Sequence, residues 1–391
     1  MSQYLQRNRA IAVKVETTAG VDAAPTVGAN AVKVEGITWP NGMQSIQTNE
    51  YTGSLDRAAD IPGGGQQRIT ATGYVRGSGV VATLPELDPL YQAAGMLANV
   101  IAAAVTGTAA GAASGTITLA AGASAVDDFY SGLPVSITAG TGIGQTRMIL
   151  DYDGTTKVAV VDYPWDVVPT GGTYSVFPGV RYKPVSSGLK SATLYDYMQR
   201  SDGGLSRLRK VLGLTGSFAM SGENGQPVRA NFDMVGSLQK PVDVAAPGAP
   251  AYQEVTPSPL MGAYARLGAN VARLASFELN TGGEPQATPD ITADYAWGNS
   301  FLTARTMSGA LRLPEELLST RDFLQNFIDS VETSLALRWG PTNNATGRRV
   351  LITVPRVQFG PPEDAEVNGM VYKQVPFRAL GQNSGFYVTM Y

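Results

Sequence analysis

Residues 194–238, LYDYMQRSDGGLSRLRKVLGLTGSFAMSGENGQPVRANFDMVGSL, decide how the rest of the chain is read. Apolar and polar side chains alternate along most of this segment, which is the period of a strand buried on one face. Two turn signals punctuate it. Ser201-Asp202-Gly203-Gly204 and Gly222-Glu223-Asn224-Gly225 supply the glycine and Asx residues that tight reversals need. The segment is therefore predicted as a hairpin followed by two long antiparallel strands.

The same texture extends outward in both directions. Residues 11–17 (IAVKVET), 31–39 (AVKVEGITW) and 68–77 (RITATGYVRG) also alternate, and the polar stretch 43–67 between them is expected to form a large loop or extended hairpin. LPELDPLYQAAGM at 84–96 is a short helix candidate. Between about residues 104 and 182 the short strands GTITLAAG, LPVSITAG, TRMILDYDG, KVAVVDY and TYSVFPG each end in a turn signal, predicting a small self-contained β unit. The Pro- and Ala-rich stretch 241–259 reads as a linker. Beyond it, a long helix is expected over 314–338. Pro314, Glu315 and Glu316 would form its first turn, and Leu317, Leu318, Leu324, Phe327, Ile328, Val331 and Leu335 its apolar stripe.

The chain has 391 residues, 43% hydrophobic and 16% charged, with 45 Gly and 24 Pro, which suits two or three turn-rich domains. A net charge of −3 advertises no basic surface for gripping nucleic acid or anionic lipid. There is no cysteine and no histidine. That removes disulfides, thiolate metal sites, Cys nucleophiles and every mechanism that needs an imidazole. No enzyme activity, cofactor or metal is expected. The start, MSQYLQRNRAIAVKVE, lacks the apolar run of a signal peptide. The uncharged stretch from Gln92 to Val126 is too rich in Ala, Gly, Ser and Thr for a membrane span, so no membrane insertion is expected.

Local motifs read mostly as structure. Gly140–Thr146 (GTGIGQT) lacks the Gly-Lys-Ser/Thr ending of a phosphate loop, and Asp151-Tyr152-Asp153-Gly154 lacks the distal ligands of a calcium loop. Glu86 with Asp88, and Glu315 with Glu316, sit at expected helix starts rather than facing each other across a cleft. Trp39, Trp165, Trp297 and Trp339 read as core or interface packing. Arg207, Arg209 and Lys210 read as a solvated face or a subunit salt-bridge site rather than a DNA groove.

The pattern before the linker recurs after it. RKVLGLTGSF at 209–218 resembles RRVLITVPRVQF at 348–359, matching Val211 to Val350. Val228–Met234 matches Val371–Phe377, and Arg68 matches Arg305. The first copy is the longer by roughly the length of the 104–182 unit and a hairpin, which predicts one duplicated β domain carrying an insertion.

Residues 194–238 also resemble the strand-rich signature of the tail tube (major tail) proteins of long-tailed bacteriophages. In that pattern a Gly-rich hairpin leads into a Gly-x-x-Gly strand start, a Gly-Glu-x-Gly turn and a strand closing on Phe-x-x-x-Gly. The matching positions are Gly213, Gly216, Gly222, Glu223, Gly225, Phe232 and Gly236. The polar stretch 43–67 and the LPELDPL segment are similar to that family too, and residues 124–165 are similar to a small β module of phage structural proteins.

The resemblance implies a mainly β chain with a duplicated tail-tube-like β-sandwich or barrel domain, each copy with a helix. The first domain would take residues 1–103 and 183–243, and the second 260–391. An outward-facing β-barrel or Ig-like module would be inserted at 104–182, and a linker would run over 244–259. The implied function is a structural subunit of the virion tail, assembled in the host cytoplasm. Subunits would form stacked rings, here trimers with pseudo-sixfold symmetry, around a lumen through which double-stranded DNA passes without specific binding. Further implied partners are the tape measure protein, the tail terminator and baseplate or distal tail proteins. Glu50, Asp56, Arg57 and Asp60, with Asp290 and Asp294, are the expected ring-stacking loop residues. Rival readings are a capsid decoration or baseplate component, and a carbohydrate-binding β protein.

Overall fold

Half of the residues lie in strands, and three helices of four to six residues are the only ones among the described residues. The computed structural model describes residues 3–56, 59–341 and 347–391. In chain order, the first part comprises β1 (Tyr4–Val15), α1 (Val27–Asn30), β2 (Gly36–Thr38), β3 (Met43–Ile46), β4 (Ile61–Tyr74), α2 (Asp88–Ala93) and β5 (Met96–Ile101). Then come β6 (Val105–Thr108), β7 (Gly111–Ala113), β8 (Thr116–Thr118), β9 (Pro134–Ala139), β10 (Thr146–Asp153), β11 (Val158–Val161) and β12 (Thr173–Val176). The chain continues through β13 (Gly179–Pro184), β14 (Ala192–Arg200), β15 (Ser206–Glu223), β16 (Arg229–Leu238) and β17 (Val242–Val244). The last part holds β18 (Tyr264–Leu267), β19 (Asn270–Val271), β20 (Ser276–Asn280), β21 (Gly283–Pro289), β22 (Trp297–Arg305), β23 (Ser308–Pro314), α3 (Phe323–Ile328), β24 (Glu332–Trp339), β25 (Val350–Phe359), β26 (Glu363–Val367), β27 (Met370–Ala379) and β28 (Tyr387–Met390).

The segment that opened the sequence reading folds as its pattern demands. β14 and β15 form the hairpin, and β15 and β16 run antiparallel with Phe218 opposite Phe232. β15, 18 residues long, serves two neighbours along one edge. Its first half pairs with β14, and Ala219–Glu223 pairs with Ser276–Asn280 of β20. Seven antiparallel ladders thereby join eight strands into one ribbon in the order β2, β4, β16, β15, β20, β23, β27, β26.

One face of this ribbon builds the main core. Ile69, Phe218, Phe232, Phe277, Leu279, Leu311, Val375 and Phe377 are all buried in it. α2 closes the core from above β15 and β16. The Tyr91 ring lies 5.1 Å from Phe218 and 5.4 Å from Phe232, in the inclined geometry that aromatic rings prefer. Strands β6 to β12 make a separate seven-stranded antiparallel sheet with its own buried cluster, including Leu133, Val135, Ile149, Tyr152 and Trp165.

That smaller sheet is docked rather than tethered. Arg181 of β13 donates through Nη1 to the carbonyls of Asp128, Phe129 and Ser131 at 2.6–2.9 Å. The Tyr163 ring is sandwiched between the guanidinium of Arg147, 3.7 Å away, and that of Arg266, 3.4 Å away. The Tyr264 hydroxyl donates to Asp162 at 2.6 Å, and the Met148 N–H donates to the other carboxylate oxygen at 2.9 Å. β13 itself pairs with β5 and β28 of the main sheet, so the unit expected to end at residue 182 gives up its last strand to the body.

Two further expectations are corrected. The 314–338 helix does not form. Pro314 ends β23, only Phe323–Ile328 is helical, and Glu332–Trp339 is a strand between β18 and β25. Of the expected stripe only Leu335 is buried, in β24; Leu317, Leu318, Leu324, Phe327, Ile328 and Val331 precede it and are exposed, so their helical spacing marked no core face. Asp322, not Pro314, caps the short helix, accepting from the Gln325 N–H. Glu315 and Glu316 therefore start no helix, and Leu317, Leu318 and Ile328 are exposed. The 241–259 stretch begins with β17, paired to β15. Its remainder is held as a strap: the Ala251 N–H donates to Val27, and Lys33 reaches both the Gln253 carbonyl and Glu254.

Burial pushes the Asp162 carboxyl above its ordinary 3.8, against the pull of Tyr264. The folded state thus binds this proton more tightly than the unfolded state, and charging Asp162 opposes folding at any pH above the raised value. Relative to Asp162→Asn, the wild type is expected to gain stability as pH falls from about 7 to about 4.5, read as the difference of urea midpoints. A difference that stays flat or shrinks overturns this account.

Candidate assembly surfaces

Opposite residues of antiparallel strands share a face, so the ladders define what the ribbon shows on the side away from its core. One row across it runs Gly36, Thr72, Asn231, Ala219, Asn280, Ser308, Arg378. The next runs Tyr74, Arg229, Ser221, Glu278, Ala310, Pro376. Thr72, Asn231, Asn280 and Ser308 make the first row mostly short and polar, and no lysine stands in either row. Two of the arginines on this face are paired to carboxylates, and Arg378 ends the first row. Arg68 pairs with Asp233, and Arg229 donates to Glu35 at 2.8 Å. The Arg229 hydrogen bond holds the Glu35 carboxyl below its usual value, with help from the Tyr74 hydroxyl. Arg312 donates to Gln374 at 3.1 Å. Sequence periodicity marked these positions as outward-facing but gave no way to know that eight strands align them into one surface.

The ribbon ends in two unpaired edges. Among the described residues β2 pairs only with β4, and β26 only with β27. A bare strand edge is a template for another strand.

Two hairpin arms project from the ribbon. The first is β3 with the start of β4, around the polar stretch predicted as a loop. The second is β21 with β22, whose base crosses β15 and β16. There Ser300, buried, accepts from or donates to Thr215 at 2.8 Å and reaches the Gly213 and Val235 carbonyls at 2.7 Å. The Gly65 N–H bonds the Tyr295 carbonyl at 3.0 Å, so the two arms touch.

The acidic residues singled out from sequence lie on these arms but serve their own turns. Asp60 accepts from Ser45, Asp56 exchanges bonds with Ser54, and Asp290 accepts from the Thr292 N–H and hydroxyl. Glu50 and Asp294 are exposed. Arg57 lies outside the described residues. What sequence reasoning passed over is apolar: Tyr51, Leu55 and Ile291 at the arm tips are essentially fully exposed. Their signal was present, since an apolar residue inside a long polar loop has no core to enter.

The turn-motif glycines mark backbone constraints. Gly225 takes φ +74 in the β15–β16 turn, next to Glu223, and Gly213 takes φ +61. Gly216, Gly222 and Gly236 lie in strands, and Phe232 is in the core. Gly213 belongs to a buried knot around Glu16. That carboxylate accepts from the N–H groups of Gly20 and Gly213 and from the hydroxyls of Ser191 and Thr193, all within 2.8 Å. The knot ties β1, β14 and β15 together beneath the second arm, where Asn299 donates to the Ala19 carbonyl. Arg209 and Lys210 form salt bridges within the chain, to the buried Asp196 and the half-buried Asp22.

Glu16→Gln puts an amide N–H₂ where four donors converge, and is expected to lower stability by about 2–4 kcal/mol while leaving the exposed arm tips unchanged. Chemical denaturation checks it; a loss within experimental error rejects the knot as a stabilising element. Set against known proteins, this chain matches no protein-family model and no curated protein sequence.

Proposed function

We propose that the chain is a structural subunit of a bacteriophage tail tube, in which three copies close a ring with pseudo-sixfold symmetry and rings stack around a DNA-conducting lumen. The observation that carries this reading is the eight-strand ribbon, polar on one face, apolar on the other, and bare at both ends. Such a ribbon satisfies its edges by joining other copies of itself into a closed wall.

The reading includes an internal duplication, which the strand order supports. The run β2, β4, β16, β15 with β14 and β1 beyond is matched by β20, β23, β27, β26/β25 with β24 and β18 beyond. Phe218 opposite Phe232 corresponds to Phe359 opposite Phe377. This register moves the match two residues from the one read in sequence. α2 and α3 occupy corresponding places in chain order.

The polar face of the ribbon lines the lumen in this reading. With no lysine in the two rows and Arg68 and Arg229 paired to carboxylates, this face offers few free cations to phosphate, Arg378 among them, so the duplex slides without the many salt-dependent contacts that would hold it. The smaller β sheet faces outward, the arms stack one ring on the next, and the tape measure, terminator and distal tail proteins meet the tube ends.

Negative-stain electron microscopy of the purified protein across a concentration series tests the function. Hollow tubes with threefold or pseudo-sixfold end views are expected; compact particles at every concentration would move the reading to a capsid decoration or baseplate role. Replacing both Tyr51 and Leu55 with Ser is expected to leave thermal stability within about 0.5 kcal/mol, because both are exposed, and to shorten the tubes. Tubes of unchanged length would remove the first arm from the stacking contact.

A further inference from the structure

The two bare edges are not equivalent to each other. They are the unmatched halves of a joint that the chain already makes once inside itself. At that internal joint, Ala219–Glu223 of β15 pairs antiparallel with Ser276–Asn280 of β20. β26 holds the place beside β27 that the end of β15 holds beside β16, and β2 holds the place beside β4 that β20 holds beside β23. We infer that β26 of one copy pairs antiparallel with β2 of the next, with Glu363 opposite Gly36. This rests on the ring reading above and names the surfaces through which successive copies meet.

The register follows from the ladders. Matching Phe232 to Phe377 matches Arg229 to Gln374, and so sets Ser221 against Glu363 as the corresponding residue of the outer strand. Matching Ala71, opposite Phe232, to Gly309, opposite Phe377, makes Gly36 correspond to Glu278. Ser221 faces Glu278 in the internal joint, so Glu363 faces Gly36 in the external one, and Pro361 faces Thr38.

Three further observations fit this pairing. First, the tip of the β15–β16 hairpin is covered by its own chain: the Gly225 N–H donates to the Leu260 carbonyl, and the Leu260 N–H donates to Gln226. The corresponding Asn368-Gly369 turn of β26 and β27 has no such cover among the described residues, and Met370 and Val371 beside it are exposed. Second, the charges are complementary. β26 offers Glu363 and Glu366 beside an Asp364 held by Lys373, and the cleft beside β2 offers Arg7, its Arg9 and Lys33 being held by Asp196 and Glu254. Opposite fields steer copies together and disfavour β26 meeting β26. Third, a Cβ added at Gly36 meets nothing within 4 Å, so the sheet face at the joint has room for side chains from a second copy. Pro361 and Pro362 stand beside β26, and proline at a free edge limits indiscriminate strand addition.

The joint is testable because the protein contains no cysteine of its own. The Phe218 carbonyl accepts from Thr281, and the Asn224 N–H donates to Ala275, which places Ser221 and Glu278 in a non-hydrogen-bonded pair. Facing Cα atoms in such pairs lie about 4.5 Å apart, within disulfide reach. The variant carrying Gly36→Cys and Glu363→Cys, assembled and then oxidised, is expected to run on a non-reducing gel mainly as covalent dimers and trimers, with no larger species. A second pair, Thr38→Cys with Pro361→Cys, is expected to do the same. The out-of-register pair Gly36→Cys with Val367→Cys and each single variant should give at least about tenfold less, since only a held geometry raises the effective thiol concentration. Circular dichroism confirms that each variant folds.

Rings or tubes visible by microscopy with no cross-link above the single variants overturn the joint and leave the tube reading standing. Cross-linked trimers without tubes support the joint and overturn the tube. Cross-linking by Gly36→Cys alone, at the level of the pair, would mean that β2 meets β2, and overturns the joint.

Discussion

The backbone hydrogen bonds between Ala219–Glu223 and Ser276–Asn280 are the contact on which the architecture depends. Without them β2, β4, β16 and β15 would share no ladder with β20, β23, β27 and β26, and among the described residues the two halves would be joined by a ladder only where β13 pairs with β28. With them, one edge of each is satisfied and eight strands share a single curved surface. The long reach of β15 makes this possible, because one strand carries β14 on its first half and β20 on its second. A buried N–H or C=O left without a partner costs on the order of 1–3 kcal/mol, so each ladder that forms limits which others remain open.

That same constraint sorts the side chains. Once eight strands lie side by side, alternate residues must face a common core, and Phe218, Phe232, Phe277 and Phe377 do. The remaining residues face the other side together, whatever their position in the chain. A row assembled from residues 36 to 378 carries Thr72, Asn231, Asn280 and Ser308 and ends on Arg378, while in neighbouring rows Arg68 and Arg229 are paired to Asp233 and Glu35. Interior polar groups follow the same discipline. Glu16 and Asp196 are buried with their oxygens occupied, and Arg181 is buried against three carbonyls. These knots fix β1, β13, β14 and β15 in register and hold the smaller sheet against the body.

The exposed apolar residues stand out against this background. Tyr51, Leu55 and Ile291 sit at arm tips where no core exists to receive them, and Leu317, Leu318 and Ile328 surround a helix too short to bury them. In the duplicated reading, α2 is covered by β1, β5, β14 and β15, whereas α3 touches chiefly β25. The two halves thus share an order of strands without sharing an environment.

Much of the fold was legible in local pattern. Alternation and turn chemistry are properties of a few consecutive residues, so the β14–β15–β16 meander, the strands between 105 and 176 and the site of α2 could be read directly. Phe232 in the core and the glycines at the turns belong to the same class. The stretch 314–338 was not legible, because Leu317 to Val331 keep a helical spacing without a core to face, and β24, flanked on both edges and buried on both faces, lacks the alternation of a strand. Asp56 and Asp290 bond within their own turns, and in sequence such an Asp looks the same as one held free for a partner. Which strands become neighbours was decided only in three dimensions. Pairing of residues 219–223 with 276–280, and the bare edges at β2 and β26 that it leaves, depend on chain reversals whose outcome no short window of sequence contains.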